Sequence, residues 1–391
     1  MPSSFVIIGA GQAGIKAAET LRAKGFDGTI TLIGAEHWHP YQRPPLSKAY
    51  LKGEMSEDRL LLKAPDWIKG AGIDTHLGKR ATRLDPATRT ITLDDGTEVP
   101  YDKVLIATGT HARWLHLDSA DLPGVETLRG IDDTRRIGAR LKQAHNVAII
   151  GGGFIGMEVA SAVRTMGKTV SVVEAQERIL ARVVAPEVSA YLETLHSEHG
   201  VNLRTAVGVD AIVGNGHVQS VELSDGSAVD ADIVLIAAGA EPTIDLAFHA
   251  GLDLARGIIV DNACRTSVPH IYAAGDCTVF HSARYGRLIG LESVQNACDQ
   301  AKAAAASMLG EPVAYDPVPW FWSDQYDTKL QIAGLSAGYD RIETVGSIPE
   351  GRFSIRYYAG GTLLAVDSIN DPRAHMMARR EIAAQPPALA A

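Results

Sequence analysis

The sequence predicts an α/β fold of two Rossmann-like units followed by a small α+β C-terminal domain, and three observations carry that prediction. Twice, at residues 5–9 (FVIIG) and 146–151 (NVAIIG), a short apolar run ends in a glycine turn and leads into helical spacing. Each time, an Asp-Gly hairpin and an apolar strand closing on Ala-x-Gly follow further on. From Tyr315 the texture turns aromatic and strand-like. A chain of 391 residues also exceeds the roughly 250–300 residues that one core organises.

The elements follow in order. Residues 5–9 read as a buried parallel strand, Ala13 to about Lys24 as a helix and Thr29–Ile33 as the next strand. Alternation over 75–106 predicts β-structure, with Asp94-Asp95-Gly96 turning between Thr90–Leu93 and Glu98–Tyr101, then Lys103–Ile106 and Ala107-Thr108-Gly109. The plan repeats: strand 146–150, glycines 151–153, a helix to about Met166 and strand Thr169–Val173. Then come Val218–Leu223, the turn Ser224-Asp225-Gly226, Asp232–Ile236 and Ala237-Ala238-Gly239. Ile271–Cys277 reads as a strand running into Gly-Asp, Asn296–Leu309 as an alanine-rich helix and His375–Ile382 as a short final helix. The tail after Gln385 is expected to be disordered.

Formal net charge is −9, from 37 Lys and Arg against 46 Asp and Glu. That argues against nucleic-acid and anionic-membrane binding. The only cysteines, Cys264, Cys277 and Cys298, form no CxxC or CxxxxC pair, and the thirteen histidines show no metal spacing. No metal site is expected. With no apolar run near the ~20 residues of a membrane span and no leader-like start, the chain is expected to be soluble and cytoplasmic.

The first fingerprint is Gly9-Ala10-Gly11-Gln12-Ala13-Gly14, between strand and helix. Its first glycine permits a tight turn, its second lets backbone approach a pyrophosphate, and its third allows close helix packing. Glu36, 22 residues beyond Gly14, is the candidate for the ribose hydroxyls. The second is Gly151-Gly152-Gly153-Phe154-Ile155-Gly156, with Glu174 closing the next strand. An acid there accepts from a 2′-hydroxyl and repels a 2′-phosphate, favouring NADH over NADPH. Arg178 and Arg182 lie just downstream as candidates to contact the pyrophosphate or, alternatively, to tolerate a 2′-phosphate. Gly275 and Asp276 come just before the final Cys277 of the IYAAGDC run, where a carboxylate suits a ribityl hydroxyl or, alternatively, caps a helix.

Together, GxGxxG, Ala-Thr-Gly, the second glycine loop and AAGDC resemble the FAD/NAD(P) pyridine-nucleotide oxidoreductases of glutathione reductase type. Residues 40–48 (PYQRPPLSK), 292–297 (ESVQNA) and 319–326 (PWFWSDQY) narrow the resemblance to the putidaredoxin reductase-like ferredoxin reductases. That resemblance implies FAD and NADH as cofactors and a [2Fe–2S] ferredoxin serving a monooxygenase or Rieske oxygenase as partner. Hydride would pass from NADH to the flavin, and single electrons onward to the ferredoxin, in a monomer or weak dimer. The implied division is an FAD domain over 1–110 and 240–312, an NADH domain over 111–239 and a C-terminal domain over 313–391.

The resemblance also implies site residues. Ala13, Arg43, Lys48, Ala81, Ala107, Thr108, Gly109, Arg129, Asp276 and Val294 fall on the FAD side, with Lys48 near the ring and Arg129 at the pyrophosphate. Ile155, Glu158, Glu174, Arg182 and Gly239 fall on the NADH side, with Glu158 placing the nicotinamide amide. Trp320 is expected beside both rings. Relatives often carry an acid where this chain has Ala35, so the ribose work passes to Glu36. Disulphide reductases and their single-cysteine cousins need a thiol near the flavin, and the first hundred residues contain none. The competing readings are a reductase of rubredoxin or monodehydroascorbate, and a redox-switched interaction protein like apoptosis-inducing factor.

Overall fold

The computed structural model describes residues 3–385; the tail beyond Gln385 lies outside the described residues. Two five-stranded parallel sheets are built to one plan. The first runs, edge to edge, Ile271–Ala273, Lys103–Ile106, Ser4–Ile8, Thr29–Gly34, Ile73–Leu77. The second runs Val125–Thr127, Ile233–Ile236, Asn146–Ile150, Thr169–Val173, Asn202–Arg204. Ile7 pairs in register with Leu32 and Leu105, and Ile149 with Val172 and Leu235. All six are buried. Strands covered on both faces read as continuous apolar runs, and each such side chain contributes about 1.5–3 kcal/mol through burial.

Both predicted hairpins form, each as part of a three-stranded antiparallel meander: Ala81–Asp85, Thr90–Leu93, Glu98–Pro100, and Val209–Gly214, Val218–Leu223, Ala228–Asp230. The chain leaves the first unit and returns to it through two segments that pair antiparallel, with Ala112 opposite Ala240 and Thr110 opposite Pro242.

Some helices extend beyond their predicted ends. The first spans Gln12–Ala23 and the alanine-rich one Val294–Met308, where the Ser293 hydroxyl accepts from Asn296 N–H as N-cap. The last runs Pro372–Ala384, three residues earlier than its apolar spacing suggests, because Asp371 caps it and Pro372 occupies its first position. Among the described residues no helix is long and apolar enough to cross a membrane.

The C-terminal region is a five-stranded antiparallel sheet: Trp320–Gln325, Thr328–Gly334, Thr362–Ile369, Arg352–Ala359, Arg341–Ser347. One face packs Ala333 and Val366 against Ala378 and Ile382 of the last helix. The other packs Leu330, Phe353, Ile355 and Tyr357 into a core shared with Met157, Val184, Val188 and Leu192 of the second unit.

That shared core holds a buried carboxyl. Asp367 accepts from the Tyr357 hydroxyl, which itself accepts from Ala185 N–H at 2.7 Å. Burial pushes Asp367 up to about 7, so the folded chain keeps a proton that the unfolded chain releases above the usual carboxylate range. The stability this contributes is full below about pH 4 and lost as pH rises through about 7. Asp367→Asn keeps the acceptor for Tyr357 and removes the titration. Denaturant melts should show the variant more stable than wild type at pH 8, by about 2–4 kcal/mol, with the gap closing toward pH 4. Parallel pH profiles would contradict this.

Candidate active site

The two glycine loops share one logic. Gly9 and Gly151 sit at φ +118° and +113°, a region open to glycine. A methyl on Gly9 would meet Ala107 O at 2.1 Å, and on Gly151 would meet Ala237 O at 2.5 Å. Gly14 and Gly156 press on the preceding turn, where a Cβ would lie 1.9 Å from Gly9 O and 2.1 Å from Gly151 O. The middle glycines differ. Around Gly11 and Gly153 a Cβ meets nothing within 4 Å, and both backbones are extended, which any residue adopts. Packing demands the outer glycines but not these. A pyrophosphate approaching the helix N-terminus does demand them, so the loops fit the two expected dinucleotides.

Contacts around the first loop link Ala13, Ala107, Gly109, Arg129, Gly275 and Asp276. Ala13 is buried beneath Gly275, its Cβ 3.2 Å from where a Gly275 Cβ would stand. Ala107 N–H binds Ile8 O at 2.7 Å, and the Thr108 hydroxyl binds Thr243 O at 2.7 Å, which locks the Ala-Thr-Gly turn across the link. At Gly109 the backbone turns at φ +67°, beside the Arg129 guanidinium. Arg129 donates to Thr110 O at 2.9 Å and lies 3.4 Å from Asp276. Burial pushes the Asp276 carboxyl up, and the cations Arg129 and Arg43 oppose that shift. Burial also lowers Arg129, with neighbouring Arg43 adding like-charge repulsion. Val294 begins the helix capped by Ser293. Ala81 opens the first meander, two residues beyond Lys79, whose N–H is held by Gly34 O at 2.9 Å.

Glu36 lies just past the second strand, where the ribose acid was expected, but its carboxylate is already engaged. It accepts from the Tyr41 hydroxyl at 2.5 Å and pairs with Arg43 at 2.6 Å. Arg43 thus serves as a brace, donating also to Arg129 O at 2.7 Å. Glu174 spans its glycine loop, accepting from Gly152 N–H at 2.7 Å and Gln176 N–H at 2.8 Å. A carboxylate has about four acceptor sites, so both acids keep capacity for a diol. Gly239 turns at φ +110° with open space around it. Arg182 is exposed beside the second unit. Arg178, the other pyrophosphate candidate, is consumed by Val184 O, Ser189 Oγ and Ala181 O.

The two units meet at Lys48 and Glu158. Glu158 faces inward on the helix Phe154–Thr165 and is 4% exposed. One oxygen takes the Lys48 ammonium at 2.5 Å and the Ser47 hydroxyl at 2.6 Å; the other takes the Ser323 hydroxyl at 2.7 Å. The carboxylate expected to reach a nicotinamide amide is therefore a junction of three parts of the chain. Lys48 also reaches Pro44 O at 3.3 Å; an ammonium has three donors, so one stays free. One turn before Glu158, Ile155 is 44% exposed next to the second loop. Such a residue offers an apolar surface for a ligand.

Trp320 opens the first strand of the C-terminal sheet. The Arg379 guanidinium lies 4.4 Å above its ring, with His375 at 5.6 Å and Trp322 at 6.1 Å. It lines a cleft of about 470 Å³ with Ser293, Asn296, Tyr315, Met376 and Arg379. Ser47, Ser323 and Gln300 were missed. Gln300 is buried and accepts from Gly275 N–H at 2.8 Å and the Thr278 hydroxyl at 2.9 Å, fixing the turn before Asp276. Ser47 and Ser323 sit inside the PPLSK and FWSDQ stretches, so their position was visible and their shared partner was not.

Comparison with known proteins identifies the family. Residues 3–304 match the pyridine nucleotide-disulphide oxidoreductase family, and residues 320–391 match the reductase C-terminal family. Rhodocoxin reductase of Rhodococcus erythropolis is 43% identical over 98% of this chain and 90% of its own. A rubredoxin-NAD(+) reductase of Pseudomonas putida is 35% identical over 95% of this chain and 96% of its own. The reductase in the covalent putidaredoxin reductase–putidaredoxin complex superposes with a TM-score of 0.95 at 37% identity, over 98% of this chain and 94% of that one. The chain belongs to the pyridine nucleotide-disulphide oxidoreductase family, within its group of FAD- and NAD(P)H-using ferredoxin reductases.

Proposed function

We propose that this protein carries electrons from NADH through FAD to a [2Fe–2S] ferredoxin, in the cytoplasm and as a monomer or weak dimer. The observation that carries the reading is the pair of cradles left open at Gly11 and Gly153. Where the two units meet, the Lys48–Glu158 junction contains no cysteine. When bound, FAD supplies acceptance of a hydride from NADH and release of electrons one at a time.

The chain supplies placement. The N-terminus of Gln12–Ala23 and the Arg129 guanidinium favour one pyrophosphate, and the N-terminus of Phe154–Thr165 favours the other. Asp276, beside Arg129, suits a ribityl hydroxyl. Glu174 meets the ribose of NADH and repels the 2′-phosphate of NADPH. Lys48 keeps a cation by the flavin, and Glu158 holds that cation in place.

Docking of an acidic ferredoxin to a chain of net charge −9 needs a local basic face. The last helix offers one beside the Trp320 cleft, with Arg373 and Arg380 exposed around the half-exposed Met376 and Met377. Arg284 does not join this face, because it donates to Ile382 O at 2.7 Å. Arg373→Glu/Arg380→Glu should raise the KM for ferredoxin about tenfold at low salt, converging with wild type at high salt. NADH-driven flavin reduction should be unaffected. Salt-independent ferredoxin kinetics in both proteins would contradict a charge-steered encounter. The acceptor is tested by reducing the enzyme with NADH and mixing it with a [2Fe–2S] ferredoxin or a rubredoxin. Faster oxidation by the ferredoxin supports the reading; preference for rubredoxin overturns it.

A further inference from the structure

A row of buried polar groups leads away from Glu158. Ser323 Oγ lies 2.7 Å from Glu158 Oε1, Gln325 Nε2 lies 3.2 Å from Ser323 Oγ, and His196 Nε2 lies 2.9 Å from Gln325 Oε1. Ser323 and Gln325 are 1% exposed and His196 is fully buried. Ser323 and Gln325 sit two apart on the strand Trp320–Gln325, so both face the second unit. There they meet Glu158 on the helix Phe154–Thr165 and His196 on the helix Pro186–Glu198.

The direction of every bond in this row follows from its first member. A carboxylate only accepts, so the Ser323 hydroxyl must donate to Glu158. Its free lone pair then accepts from the Gln325 amide N–H, which turns the amide oxygen toward His196. His196 must donate from Nε2 and is therefore the Nε2–H tautomer. Burial lowers His196 to about 4, so the ring stays neutral near pH 7. Its Nδ1 has no partner among the described residues. Tyr326 closes this end, packed on His196 at 5.1 Å and on the exposed His199 at 3.7 Å, with its own N–H bound to Ser161 Oγ at 2.7 Å.

We propose that Ser323, Gln325 and His196 are positioning residues that keep Glu158 oriented on Lys48, so that the C-terminal sheet and the helix Pro186–Glu198 set the geometry of hydride acceptance. The inference rests on the reading of Lys48 and Glu158 as the pair at the reacting centre. With one hydrogen, Ser323 can serve only one carboxylate. Without the push from Gln325 its hydroxyl is free to rotate away, leaving a buried anionic oxygen unpaired, which is costly.

Gln325→Glu tests the direction of the row. As a carboxylate, residue 325 competes with Glu158 for the Ser323 hydrogen; protonated, it donates to Ser323 and accepts from His196, as glutamine does. The other ionisable groups in reach are Lys48, Glu158, His196, Tyr326 and His199. The readout is single-turnover reduction of the flavin in the holoenzyme by NADH, measured against pH.

Gln325→Glu should be slower about tenfold at about pH 8.5 and recover to within about twofold of wild type near pH 5.5. His196→Leu should slow reduction with FAD retained, and His196→Gln, which returns a donor at the Nε2 position, should restore it. If Gln325→Glu does not fold, these two histidine variants decide the matter. A Gln325→Glu profile parallel to wild type, or equal rates in His196→Leu and His196→Gln, overturns the inference. Glu158→Gln is the control. If it too reduces at the wild-type rate, the reading of the Lys48–Glu158 pair fails, rather than the row alone.

Discussion

Gly11→Val is expected to yield a folded but colourless protein, and Gly153→Val a yellow one that NADH reduces only at greatly raised concentration. Both positions have extended backbone and open space where the side chain would go, so the apoprotein accommodates valine at each. What the new side chain fills is the approach of a pyrophosphate to the loop. Each substitution should weaken its own dinucleotide on the order of 100-fold or more, about 3 kcal/mol. The contrast with Gly14→Val is diagnostic. There the Cβ falls 1.9 Å from Gly9 O, so the expected result is loss of the fold. Bound FAD per chain, KM for NADH and thermal melting separate the three outcomes. A yellow Gly11→Val protein would contradict the assignment of the first loop.

Glu158→Leu is the second large effect. It leaves the Lys48 ammonium, 20% exposed, without its carboxylate, and leaves the Ser47 and Ser323 hydroxyls without their acceptor. Removing one partner of a buried ion pair costs about 3–5 kcal/mol because the other charge remains desolvated. Flavin reduction should slow by about 10–100-fold, as Lys48 loses the anchor that holds it. Lys48→Met/Glu158→Leu should recover much of the stability and little of the rate, since the double variant removes the orphaned charge without restoring the cation. Denaturant melts and single-turnover reduction check the two halves separately. Full recovery of rate in the double variant would contradict a role for the cation.

What could be read from the sequence was local. The glycine loops, the two Asp-Gly hairpins and the Ala-x-Gly turns each depend on residues a few positions apart, and each is where the sequence places it. The repeated sheet plan followed from their order. What could not be read was long-range. Ser47 and Ser323 reach Glu158 across 111 and 165 positions, and no periodicity records that meeting. Arg178 looked like a phosphate ligand because it follows the second strand, yet three acceptors in its own loop claim it. Glu36 lies as expected, but Tyr41 and Arg43, five and seven residues further on, fold back on its carboxylate. The last helix was underestimated because Asp371 and Pro372 extend it by capping chemistry rather than by apolar spacing.

Under the proposed function, one cradle presents a flavin and the other a reduced nicotinamide to each other with no thiol between them. Anaerobic titration of the purified holoprotein with NADH measures it directly. The expected result is complete bleaching of the visible flavin absorbance at one NADH per chain, with no thiol released to a thiol reagent, followed by full return of colour on adding oxidised [2Fe–2S] ferredoxin. A spectrum that NADH leaves unchanged, or a second equivalent consumed with the appearance of reactive thiols, would contradict it.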